Sequence, residues 1–143
     1  MTSTIDRYDR VLLAAVQQDA RVPQSELGVR ANLSTAAVNR RLKLLSAAGV
    51  IERYTAGINP KALGYDLTLI VEVKMESERA DLHDEMRRSF EAYPQIQQCY
   101  YVAGECDFVL IFLVRDMAQY VELTRKLFHV NNNVKAFKAL VAM

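Results

Sequence analysis

Thr35, Ala36, Asn39, Arg40 and Lys43 have the side-chain types and the spacing to meet a polyanion from one side of a helix. At about 100° per residue, with Val38 taken as zero, Leu42 falls near about 40° and Leu45 near about −20°, which makes an apolar stripe. The five polar, basic or small residues then occupy the opposite arc, from about 60° to about 200°. Such an arc suits a helix lying in the major groove. Arg and Lys pair there with guanine edges or phosphates, Asn pairs with adenine, and a small side chain permits close approach. Arg41 lies on the flank at about −60°, where its guanidinium could hold a phosphate or an internal carboxylate. The bland reading of the same residues is a solvated charged face on an ordinary three-helix bundle.

The flanking residues favour the first reading, because they would position this helix. Gln24–Arg30 is rich in helix formers, and Asn32 stands where the chain must turn sharply, in a backbone conformation that Asn tolerates. Ser34 can cap the next helix by accepting from its free amides, and it belongs to the same candidate DNA-facing surface. Gly49 stops that helix about four turns later, and the residues up to Tyr54 read as the start of a wing. The pattern is a helix-turn-helix whose second helix is the basic one.

Charge agrees in sign. Residues 1–55 hold eight Lys and Arg against five Asp and Glu, a net of +3, while the remainder holds ten against twelve, a net of −2. The asymmetry is small, so tight binding to DNA calls for two copies of the module side by side. The polar N-terminus does not resemble a signal peptide, and no apolar run reaches the length of a membrane span. Cys99 and Cys106 match no zinc spacing and read as reduced, inert thiols of a cytoplasmic protein. No phosphate loop, nucleophile elbow or metal spacing marks an enzyme, and no cofactor is required. His83, beside Asp84 and Glu85, reads as part of a solvated helix face, and His129 as a helix C-terminal residue.

Ala56–Asp66, with Gly57, Pro60 and Gly64, reads as a hinge, so the chain divides into 1–55, a linker at 56–66, and 67–143. Past the hinge, Leu67, Leu69, Val71, Val73 and Met75 alternate with Thr68, Ile70, Glu72 and Lys74, which predicts a strand. Leu82, Met86, Phe90 and Tyr93 follow at helical spacing, and Pro94 prevents continuation. A second strand from Ile96 to Ala103 turns at Gly104–Asp107 into a third, Phe108–Arg115. A helix with Met117, Tyr120, Val121, Thr124, Leu127 and Phe128 inward comes next. Asn131–Asn133 breaks it before a last strand, Val134–Met143. The order βαββαβ is the split ferredoxin-like arrangement, so the fold class is α+β. The third strand is apolar on both faces, while helices in this arrangement cover only one face of the sheet. A second protein surface must cover the other, and an identical sheet is the simplest choice, which predicts a homodimer.

The whole chain from Ile5 onward resembles the Lrp/AsnC (feast/famine) family of bacterial and archaeal transcription regulators. The resemblance rests on Ile5-Asp6, Asp9 and Leu12-Leu13; on Asp19-Ala20-Arg21 with Glu26-Leu27; and on Leu33-Ser34, Val38, Arg41-Leu42, Leu45, Gly49-Val50-Ile51 and Tyr54. It continues through Asn59-Pro60, Leu63-Gly64 and the turn Gly104-x-x-Asp107. It implies a sequence-specific, nucleoid-associated DNA-binding protein whose dimers associate further, commonly into octamers. It also implies an amino-acid effector at the Gly-x-x-Asp turn, with Tyr101, Val102, Ala103, Gly104 and Asp107 as the near side of the pocket. Amides around Gly104 would hold an α-carboxylate and Asp107 would pair with an α-ammonium; alternatively, Gly104 and Asp107 simply shape a hairpin. Gly28 stands where the family favours Ala, at a cost of about 0.5–1 kcal/mol if that position is exposed. Leu44 and Ser46 replace charged residues, Glu105-Cys106 replaces an acidic-aromatic pair, and many relatives continue past Met143 with another short strand. The competing function is a small-molecule-binding regulatory module whose helix-turn-helix contacts another protein. Steep weakening of binding by salt separates DNA from that alternative.

Overall fold

A computed structural model describes residues 4–143 and divides the chain into two compact units, Met1–Ile58 and Asn59–Met143. The first holds three helices, α1 (Arg7–Gln18), α2 (Gln24–Ala31) and α3 (Thr35–Ala47). α1 begins in a reciprocal capping box: the Asp6 carboxylate accepts from the Asp9 amide at 2.9 Å, and the Asp9 carboxylate accepts from the Asp6 amide at 3.1 Å, which satisfies two amides that the helix itself leaves free. Leu12, Ala15, Leu27, Ala31 and Val38 form a small buried core, with Val16, Val22, Leu33 and Leu42 packed against it.

The turn between α2 and α3 follows the sequence reading closely. Asn32 takes the left-handed conformation (φ 53°, ψ 49°), and the Leu33 amide donates to the Gly28 carbonyl at 2.8 Å. Gly28 is buried rather than exposed, and a Cβ there would stand 2.5 Å from the Leu33 carbonyl oxygen. The glycine is therefore what allows α2 and the incoming chain to approach, and the helix cost expected for an exposed position does not apply. The wing differs from expectation: after Gly49 (φ 72°) the chain runs to residue 59 without forming a strand.

The second unit opens with a 3-10 turn, Pro60–Leu63, capped by the Asn59 carboxamide, so part of the expected linker packs as structure. Then come β1 (Leu67–Met75), α4 (Ala80–Glu91), β2 (Ile96–Tyr101), β3 (Phe108–Val114), α5 (Met117–Thr124) with a π-helical turn at Arg125–His129, and β4 (Val134–Val141). The sheet is antiparallel in the order β2-β3-β1-β4, the βαββαβ arrangement read from the sequence. β2 and β4 end about two residues short of expectation. Ala103 lies in the turn.

Period-two alternation sorts the sheet residues by face. Leu69, Val71, Val73 and Met75 of β1 and Phe108, Leu110, Phe112 and Val114 of β3 are buried. There they join Met86 and Phe90 of α4 and Tyr120, Leu123, Leu127 and Phe128 from the α5 region. The rings meet edge-on, Phe90 to Phe108 at 5.4 Å and Phe112 to Tyr120 at 5.6 Å between centroids, a favourable aromatic geometry. Met117 and Val121 are exposed instead of inward, since the packed stripe of α5 starts at Tyr120 and continues through Leu123, Thr124 and Leu127. Among the described residues no helix is long and apolar enough to cross a membrane.

Candidate DNA-contacting helix and effector turn

α3 sits on Val38, fully buried, with Leu45 almost so and Leu42 packed beside them. Its N-terminus is held by the Ser34 hydroxyl, which accepts from the Ala37 amide at 3.2 Å. Thr35, Ala36, Arg40 and Lys43 are exposed and Asn39 is half-exposed. The apolar stripe and the polar arc therefore fall where the periodicity places them. Neither Arg40 nor Lys43 takes part in an ion pair within the chain among the described residues.

Arg41 is different. Its Nη1 donates to the Asp6 carboxylate and to the Asp9 carboxylate, both at 2.8 Å, and its guanidinium carbon lies 5.3 Å from the centre of the Tyr8 ring. Of the two roles open to it, the internal carboxylate is the one occupied, and Arg41 leaves the set of free cations facing outward. The Asp9 amide first, and then Arg41, hold the Asp6 carboxyl below the usual carboxylate range, while the Asp9 and Asp6 carboxylates raise the Arg41 guanidinium further.

In the second unit, the turn between β2 and β3 is stitched to β1 through Asp107. Its Oδ2 accepts from the Met75 amide at 2.7 Å and lies 3.4 Å from Lys74 Nζ; its amide donates to the Val73 carbonyl and its carbonyl accepts from the Val102 amide, each at 2.9 Å. This carboxylate fixes the turn through Oδ2, the hairpin-shaping role that the sequence offers beside pairing with an ammonium group. Val102 likewise has its amide engaged. Gly104 has φ +155°, with open space where a Cβ would stand, so its backbone and not crowding favours glycine. Ala103, Gly104 and Tyr101 are exposed.

His83 overturns its sequence reading. It is buried, not solvated: Nε2 lies 2.9 Å from the Ser77 carbonyl and Nδ1 3.0 Å from the Tyr101 hydroxyl. A carbonyl can only accept, so Nε2 carries the proton, and in the neutral ring the Tyr101 hydroxyl donates to Nδ1. The sequence holds a signal for this, because His83 shares a helical face with Met86 and Phe90. A hollow of about 140 Å³ lies here, lined by Ala80, His83, Asp84, Arg87, Tyr101 and Phe108. Cys99 is half-buried, and burial pushes its thiol up to about 11, as expected for an inert cysteine. His129 ends the π-helical turn with its ring 5.5 Å from Phe137.

A helix-turn-helix module joined to a ferredoxin-like domain defines a class of two-part regulators, one part for DNA and one for a ligand. The winged helix-turn-helix DNA-binding pattern matches residues 5–52, and the Lrp/AsnC ligand-binding domain matches residues 68–143. The chain belongs to the Lrp/AsnC family of transcriptional regulators. It is 42% identical to an uncharacterised HTH-type transcriptional regulator of Sinorhizobium fredii, over 97% of this chain and 82% of that protein. It is 33% identical to the leucine-responsive regulatory protein of Escherichia coli, over 83% and 73% respectively. Among solved structures, the feast or famine regulatory protein of M. tuberculosis in complex with L-methionine superposes with a TM-score of 0.86 at 30% identity, covering 98% of this chain and 92% of that one. A Neisseria meningitidis regulator, also with L-methionine, shares the fold with a TM-score of 0.90 at 24% identity, covering 98% and 90%. These relatives are named as transcriptional regulators, not enzymes.

Proposed function

We propose that this regulator binds duplex DNA as a homodimer through α3, and that an amino acid bound at the Tyr101–Gly104 side of the β2–β3 turn modulates the binding. The exposed arc of Thr35, Ala36, Asn39, Arg40 and Lys43, set on a capped and seated helix, is the observation that carries the DNA-contact reading. Ser34 joins that surface at the helix N-terminus, where free amides favour a phosphate. Such a protein works in the cytoplasm, beside the nucleoid.

Dimerisation rests on the sheet face away from the helices. Val109, Ile111 and Leu113 lie on it, with Ile70, Tyr100 and Leu140 beside them in register. Ile70, Tyr100 and Leu140 are exposed in the single chain. β3 is apolar along this face, with the polar Thr68, Glu72, Gln98 and Lys138 interspersed on the neighbouring strands. An apolar strip across an antiparallel sheet calls for a protein cover, and a second copy supplies one with matching chemistry. Further association of dimers, in the family's manner, would complete the effector site, to which one chain contributes a small hollow beside Tyr101.

The effector reading is supported by the exposed turn and by the two relatives solved with L-methionine. Amides at Ala103 and Gly104 would receive the carboxylate, and Asp107 would shape the turn. A ligand there shifts an equilibrium between assemblies only by its difference in affinity for them. Isothermal calorimetry on the full chain, with L-methionine first and then the other nineteen amino acids, tests this. Binding of at least one, lost in Gly104→Val, is expected. Silence from all twenty, or binding unchanged in that variant, would overturn the effector site.

A further inference from the structure

Resting on the reading of α3 as the DNA-contacting helix, we infer that Arg41 is a positioning residue for DNA reading: with Asp6 and Asp9 it sets the rotation of α3 about its own axis, and thereby aims the contacting arc. The core beneath α3 is small, with Leu12, Ala15, Leu27 and Ala31 receiving Val38 of the helix, and aliphatic contacts have no preferred direction. Such a core holds a helix down more firmly than it fixes how the helix is turned. Charge-assisted hydrogen bonds do have direction. Both bonds from Arg41 Nη1 measure 2.8 Å, and the two acceptors are themselves locked by the reciprocal capping box at the start of α1. The Tyr8 ring closes one side of the guanidinium at 5.3 Å. The Arg41 side chain is 22% exposed, that of Asp9 11% and that of Asp6 43%, so the bond to Asp9 is the sheltered one and Asp6 faces solvent.

Fixing Arg41 fixes its neighbours. Arg40 stands about 100° away around the axis and Asn39 about 200°, so a few degrees of roll at Arg41 moves every base-facing group on α3 by the same angle. A partly buried ion pair of this kind adds little stability over a well-packed apolar replacement. Directional aim is what an apolar replacement would not supply.

Two simpler expectations give different signs. If the carboxylates only added negative charge beside a polyanion, Asp9→Asn would tighten DNA binding and free Arg41 for a phosphate. If Arg41 touched phosphate already, Arg41→Met would weaken all sequences alike and lower the salt slope by about 0.9. The test uses the full chain and two duplexes: one selected by the unmodified protein from a random pool, and the same bases scrambled. Binding is measured by anisotropy across a salt series, at temperatures where circular dichroism shows each variant folded. Asp9→Asn and Arg41→Met are each expected to lose roughly fivefold to a hundredfold on the selected duplex, the scale of one or two misaimed base contacts, with scrambled-duplex binding and salt slope unchanged. Tighter binding by Asp9→Asn, equal loss on both duplexes with a shallower slope, or no change in either variant would overturn it. Should Arg41→Met fail to fold, Arg41→Lys carries the test. A strut predicts the same selective loss, because a point charge cannot hold the fixed fork geometry, whereas a phosphate contact predicts unchanged binding.

Discussion

The surface on α3 and the surface on the sheet are held in place by different means. α3 sets its own Val38 into four buried residues of α1 and α2, all aliphatic and two of them alanines, and a polar lock at Arg41 does the orienting. The β2–β3 turn and the open sheet face stand on a core of fifteen buried residues, with aromatic rings meeting edge-on and three ladders of strand pairing. Polar groups serve there too, but at the margin, where Asp107 ties the turn to Met75. A small module that must present side chains at a set angle gains from directional bonds. A larger one obtains its geometry from the ladder and leaves its apolar surplus for a partner.

That contrast predicts unequal responses to damage. The largest is expected on the open sheet face. Ile111→Asp places an unpaired charge where a partner copy would bury it, a penalty of several kcal/mol. Sedimentation velocity should show the unmodified chain as a dimer or larger at micromolar concentration and the variant as monomer or unfolded. A well-behaved monomer of the unmodified chain would break the comparison, because the apolar face would then have no cover. Next in size is Gly28→Ala. Its Cβ would meet the Leu33 carbonyl at 2.5 Å, and backbone has little room to give. A loss of about 1–3 kcal/mol, the usual scale of overpacking, is expected in thermal or urea unfolding, despite the gain in helix propensity. A stabilised variant would mean that the turn before α3 is looser than its hydrogen bonds imply.

Legibility in the sequence follows the same division. Periodicity exposes the stripe of Val38, Leu42 and Leu45, the arc opposite it, and every strand of the sheet, because each depends on neighbours a few positions away. Asn32 and Ser34 announce their turn and cap by local chemistry alone. What stays hidden depends on groups far along the chain. Arg41 finds Asp6 35 positions away, Asp107 finds the Met75 amide 32 positions away, and His83 finds Tyr101 18 positions away. A helical wheel gives the face a charged residue occupies but not the partner waiting there. The helix cost expected at Gly28 fails for a related reason, since propensity decides only once burial is known. Met117 and Val121 fit an inward stripe on paper because an apolar residue near a helix end is compatible with more than one.

The DNA-binding role depends above all on the free cations of α3 meeting DNA. The direct measurement is anisotropy of a selected duplex with the full chain, at fixed salt and across a salt series, for Arg40→Ala and Lys43→Ala. Both side chains are exposed, so unfolding temperatures should stay within error of the unmodified chain while affinity falls. Removing a base-reading side chain would cost about 1–3 kcal/mol and relax preference at one position; removing a phosphate-binding one would weaken all sequences and reduce the salt slope by about 1. Undiminished affinity in both variants would contradict this role and remove α3 from the interface.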